Sequence, residues 1–135
     1  MQVGVQADVV AADAAGDAFN GGCRGRVVFD HITSRWGVLV LAALRSGPVR
    51  FSGLHVKISG MSEKMLSQTL RTLVRDGLIA RTVDASTPPK VSYSLTPLGS
   101  SASEPLQSLL DWISVHSADV ERAQRHHDEA LAVDG

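Results

Sequence analysis

Apolar residues recur along the chain with two periods. Between Arg26 and Leu44, the residues Val28, Ile32, Trp36, Leu39, Val40, Ala43 and Leu44 return at steps that keep them on one face of an α-helix. This predicts one long, well-buried helix, ended by Ser46-Gly47-Pro48. Val49-Arg50 reads as a very short strand, and Phe51, Leu54 and Ile58 mark one side of a short helix. After a turn at Ser59-Gly60, Ser62 is placed to cap a further helix, because its hydroxyl can accept from a free N–H of the first turn. That helix should turn Met65, Leu66, Thr69, Leu70, Leu73 and Val74 inward and stop at Asp76-Gly77.

The period then changes to two. Leu78 to Val83 predicts a strand and Lys90 to Leu95 its partner, with Val91, Tyr93 and Leu95 alternating with Ser92 and Ser94. Pro88-Pro89 stiffens the connection. Thr96-Pro97 opens a last helix, with threonine as cap and proline in the first helical position. Its apolar stripe is Leu98, Ala102, Leu106, Leu109, Leu110 and Ile113, with a kink expected at Pro105. The polar tail from Asp119 should fray. Two helices across a short glycine-containing turn, followed by a hairpin, predict a winged helix-turn-helix: mainly α with a small β-hairpin, an α+β fold. Residues 23–118 would form this domain. Residues 1–22, rich in Ala, Gly and Asp, would be a mobile arm with a short helix around Asp8 to Ala15, and residues 119–135 a polar C-terminal tail.

Composition narrows the class. A chain of 135 residues with 44% apolar and 20% charged content suits one globular domain. The longest apolar run is too short for a membrane span, and the N-terminus has neither the basic nor the apolar region of a signal peptide. A single cysteine, Cys23, excludes an intramolecular disulfide framework. A soluble cytoplasmic protein is the expectation. The net charge of −1 conceals a split. The span Cys23 to Arg81 carries ten basic residues against three acids, and the rest carries three basic residues against eleven acids. A basic half implies an anionic partner, although an unevenly charged solvated surface would look the same.

The outward face of the helix after Ser62 supplies the chemistry. A helix entering the major groove needs an apolar inner face and outer side chains able to bond base edges and phosphates. Ser62, Lys64, Ser67, Gln68 and Arg71 meet that need; glutamine can pair with adenine and arginine with guanine. Arg50, before the preceding short helix, and Arg81 and Lys90, flanking the hairpin, complete the candidate contacts with double-stranded DNA.

The string "SRWGVLVLAAL", then "GPVRFSGLHVKISGMSEKMLSQTLRTLVRDGLIAR", then "PPKVSYSLTPLG", with Cys23 before and Trp112 after, resembles the HxlR-type (DUF24) winged-helix transcriptional regulators. The resemblance implies a cytoplasmic homodimer on an inverted-repeat operator, paired mainly through its terminal helices. Phe29, Leu106, Leu109, Trp112 and Ile113 are the candidate interface. In some members of that family the cysteine equivalent to Cys23 senses oxidants or electrophiles, so a thiol-reactive or other small effector is a further candidate partner. Arg24 stands where many relatives have proline.

Alternatives stand beside these assignments. Cys23 can equally be a small, partly buried packing residue. His116, His126 and His127 with Asp128 make a poor metal set, since adjacent helical positions diverge by about 100°. Nothing implies a cofactor. An enzyme is not expected, because a thiol enzyme built on Cys23 lacks an evident base. A winged-helix module that binds protein and not DNA is the alternative function.

Overall fold

The computed structural model describes residues 16–134, without the side chain of Asp134. The helix expected around Asp8 to Ala15 lies outside these residues. The order is α1 (Arg24–Ile32), α2 (Arg35–Ala43), a 3-10 turn (Leu44–Ser46), β1 (Val49–Arg50), α3 (Phe51–Lys57), α4 (Glu63–Arg75), β2 (Ile79–Asp84), β3 (Lys90–Leu95) and α5 (Pro97–Asp134). The three strands form one antiparallel sheet in the order β1-β3-β2. Tyr93 sits centrally, opposite Val49 on one side and Arg81 on the other. The fold is a winged helix-turn-helix, with α3 and α4 as the helical pair and β2–β3 as the wing.

The expected helix from Arg26 to Leu44 is two helices, inclined at 69° to each other. Thr33 and Ser34 cause the break. The Thr33 amide and hydroxyl both donate to the Phe29 carbonyl, at 2.8 and 2.6 Å, which closes α1. The Ser34 hydroxyl donates to the His31 carbonyl and accepts from the Gly37 amide at 3.1 Å, which opens α2. Short hydroxylated side chains compete in this way with the backbone's own helical bonds. The expectation of a well-buried helix holds for α2 only: α1 buries no residue, Val28 is exposed, and Ile32 alone of its apolar stripe packs against the core.

Val40, Leu41, Leu44, Leu54, Leu66, Leu70, Leu73 and Ile79 form the sealed core between α2, α3, α4 and the sheet. Met65 and Val74, expected inside, are partly exposed on either flank of α4. At about 100° per residue, only Leu66, Leu70 and Leu73 line up on the core side. Ser62 caps α4 as expected, its hydroxyl accepting from the Met65 amide at 3.1 Å. The other end closes with a Schellman motif: Gly77 N–H donates to Val74 and Leu78 N–H to Leu73, with Gly77 at φ +76°. Leu78 is thereby spent on the helix end, so β2 starts at Ile79 and runs one residue further than expected, to Asp84.

Thr96 caps α5 by accepting from the Gly99 amide at 3.1 Å, with Pro97 first in the helix. A Cβ on Gly99 would overlap the Leu78 carbonyl, so α5 can lie this close to the α4–β2 junction only with glycine there. α5 continues through Pro105 and through the tail expected to fray, to Asp134. Among the described residues, no single helix is long and apolar enough to cross a membrane.

Candidate nucleic-acid interface

α4 presents its charge opposite its buried leucines. Measured from Leu66, Lys64, Gln68, Arg71 and Arg75 fall roughly 140–200° round the helix. All four are exposed. Arg75 was not among the sequence-derived candidates. Its signal was its spacing, four residues beyond Arg71 and on the same line as Lys64 and Gln68. Glu63 is the acid of the first turn, where the partial positive charge of the helix end favours it. Ser62 spends its oxygen lone pair on the cap but keeps its hydroxyl proton for a phosphate. Ser67 lies about a quarter turn from the outermost line, towards the wing.

A groove of about 480 Å³ separates α4 from the wing, lined by Ser67, Leu70, Arg71, Val74, Arg81 and Tyr93. Arg81 is opposite Tyr93 in the β2–β3 register, so both side chains project from the helix-facing side of the sheet. Two guanidinium groups therefore border one groove. Arg50 pairs with Ser92, and Lys90 with Asp84; both lie on the other side of the sheet by the alternation of side chains along a strand. The fold thus gathers Lys64, Ser67, Gln68, Arg71 and Arg81 on one surface with Arg75, and leaves Arg50 and Lys90 at its margins. Lys90 also has a carboxylate, Asp84, as its cross-strand neighbour.

His31 and Asp76 are a second feature that sequence reasoning missed. His31 Nδ1 lies 2.7 Å from Asp76 Oδ2, joining the last turn of α1 to the C-cap of α4. Beside it, Asp30, Ser34, Gln68, Thr69 and Thr72 line a small cavity of about 200 Å³. This pair holds α1 against the outward-facing helix. No local spacing could reveal it, because the partners are 45 residues apart.

Cys23 is half-buried at the N-cap of α1, and its thiol is directed at the Asp17 carbonyl. Arg26 is turned towards the same segment, its guanidinium donating to the carbonyls of Ala18 and Phe19 at 2.5 and 3.1 Å. Residues 17–20 are thus tied back onto the first turns of α1. Of the candidate interface residues, Phe29, Leu109, Trp112 and Ile113 are exposed at 45–53%. Leu106 departs from expectation: it is 8% exposed and packs into the domain's own core, leaving no surface for a partner. Trp112 stacks on His116, ring centroids 4.5 Å apart. Among the described residues, no three His, Cys, Asp or Glu side chains gather as a metal site.

The model of the HxlR-like helix-turn-helix family matches residues 31–121. The chain is 50% identical over 105 residues to YtfH of Escherichia coli, named as an HTH-type transcriptional regulator, covering 78% of this chain and 83% of that one. It is similar to the solved structure of the transcriptional regulator YtfH from Salmonella typhimurium, with a TM-score of 0.74 and 49% identity, over 80% of this chain and 96% of that one. The redox regulator HypR, solved in its oxidised form, superposes with a TM-score of 0.65 at 28% identity, over 69% of this chain and 96% of that one.

Proposed function

The chain belongs to the HxlR-like helix-turn-helix family and is a transcriptional regulator of winged-helix type; from that premise we propose that it works in the cytoplasm as a homodimer on an inverted-repeat operator. Its role is regulatory and not catalytic. The observation that carries this is the alignment of Lys64, Gln68, Arg71 and Arg75 along the outer line of α4, directly opposite Leu66, Leu70 and Leu73. A helix so arranged is held by its leucines while its polar line lies in the major groove. Gln68 and Arg71 take base edges; Lys64, Arg75, Arg81 and the hydroxyls of Ser62 and Ser67 take phosphate or sugar. Arg50 and Lys90 add contacts to flanking backbone.

One such helix reads only a few base pairs. Two-fold pairing doubles the contact and sets half-site centres about 34–36 Å apart. Phe29, Leu109, Trp112 and Ile113 are the pairing surface, since their exposure leaves apolar area that the domain does not itself use. Cys23 is the candidate effector site. Three observations support that role: its place at the N-cap of α1, the neighbouring Arg24 and Arg26, and the likeness to a redox regulator. Oxidation there would remove the thiol contact to the Asp17 carbonyl at the start of α1, and the His31–Asp76 pair would pass a shift of α1 on to α4.

The test is binding to the DNA upstream of the protein's own gene, followed by fluorescence anisotropy across a salt series. Five phosphate-facing cations per protomer, Lys64, Arg75 and Arg81 on the reading surface with Arg50 and Lys90 at its margins, predict a slope of log K against log salt of roughly −5 to −9 for the dimer. A flat salt response with no sequence preference would refute DNA reading and favour a protein-binding module.

A further inference from the structure

A hollow of about 510 Å³ opens where α2, the end of α3 and α5 meet, and its lining takes nothing from α4 or the wing. Its walls are apolar: Leu39, Ala42 and Ala43 of α2, with Ile58 just past α3. An alanine side chain reaches one carbon from the backbone, so two in succession leave α2 short of its neighbours there. The space is of the size that holds a small organic molecule, and the walls suit an apolar body.

The rim carries charge of one sign. Lys57 is the last residue of α3, and its ammonium donates to the Ala43 carbonyl at a long 3.4 Å. Among the described residues it has no carboxylate partner. Ser59 adds a hydroxyl and Gln107 a carboxamide, and no acid shares the lining. Asp111, one turn along α5, accepts from Gln107 Nε2 at 2.9 Å and stays outside it. An apolar wall edged by one unneutralised ammonium is complementary to a monocarboxylate with a short chain or a single ring. A phosphate dianion would meet only one cation here.

We propose that this hollow is an effector site for such monocarboxylates, with the carboxylate on Lys57 and Ser59 and the apolar body against Leu39, Ala42 and Ile58. Ile58 and Ser59 lead through Gly60 into the capped start of α4. An occupant therefore ties α2 and α5 to the turn between the two helices of the DNA-binding unit and favours one setting of α4. Ligand and DNA then change each other's affinity by the same factor. Gln107 lies roughly 160° round α5 from Leu109, so the hollow is on the far side of that helix from the pairing surface. The effector role rests on the DNA-binding reading above; the site itself does not.

The experiment is methyl NMR on the full chain, titrated with 4-phenylbutyrate and with its neutral amide as probes. The acid should shift the Leu39, Ala42 and Ile58 methyl signals saturably, with a dissociation constant of about 1 mM or tighter. Lys57→Gln should weaken the acid about tenfold more than the amide, since only the acid loses a charge-assisted bond. Ala42→Leu fills the hollow and should abolish both. Anisotropy on the operator with saturating acid should show DNA affinity changed roughly threefold or more, and unchanged in Lys57→Gln. No saturation in the millimolar range, or saturation that ignores both variants, overturns the site. Saturation at these methyls with DNA affinity constant overturns the effector role. A protein that saturates with the acid and binds no DNA under any condition refutes the DNA reading and leaves the site standing.

Discussion

Arg75 offers a sharp test of how α4 lies on DNA. It occupies the last turn of a 13-residue helix, four residues and about 6 Å along the axis from Arg71. When the N-terminal part of a recognition helix approaches the groove floor, the last turn rises towards the sugar-phosphate backbone. Arg75 should therefore meet phosphate while Gln68 and Arg71 meet bases. Arg75→Ala would then reduce the salt slope by about 0.9 per protomer, close to two units for a dimer, and weaken specific and scrambled duplexes alike. Arg71→Ala or Gln68→Ala would cost about 1–3 kcal/mol per half-site on the specific duplex only. Two half-sites raise that to about 2–6 kcal/mol, roughly thirtyfold to twenty-thousandfold in affinity. Both substitutions remove exposed side chains, so the fold should be untouched. The assay is anisotropy on matched specific and scrambled duplexes at several salt concentrations. A constant slope for Arg75→Ala, together with a change in preferred bases, would mean that α4 lies in the groove the other way and that its C-terminal end reads the sequence.

Lys64→Ala, if it meets phosphate, should weaken all sequences alike and lower the slope by about one unit per protomer. Lys90→Ala should reduce non-specific affinity more than preference, and the reverse pattern would make the wing a base reader. Ser62→Ala removes the cap bond to Met65 and should cost about 1 kcal/mol in chemical denaturation; an unchanged midpoint would show that this end of α4 is held by other means. Leu109→Asp with Ile113→Asp should convert the protein to a 14.3 kDa species in light scattering, provided circular dichroism shows the helices intact, because each places unpaired charge in the proposed interface. A wild type that already scatters as 14.3 kDa while binding its operator would remove the homodimer from the mechanism.

Local chemistry alone determined much of this protein. The Ser62 cap, the Asp76-Gly77 stop, the period-two strand Lys90–Leu95 and the Thr96-Pro97 start all depend on residues within one turn of each other, so their signals survive in the linear order. The winged helix-turn-helix and the outer line of α4 followed from them. The break at Thr33-Ser34 was also local, but two hydroxyl bonds at the helix ends are a weaker signal than the apolar spacing that runs across them. Tertiary structure decided what distance along the chain hides. It placed Leu106 inside the core and Leu109 outside on the same helix, because only the packed domain determines which side of α5 it covers. It put Arg81 beside the α4 groove and Arg50 and Lys90 on the other side of the sheet, through a register that depends on strand pairing. It joined His31 to Asp76 across 45 residues. Burial and pairing belong to surfaces that exist only once the chain has folded, and a linear pattern can name the residues eligible for them without choosing among them.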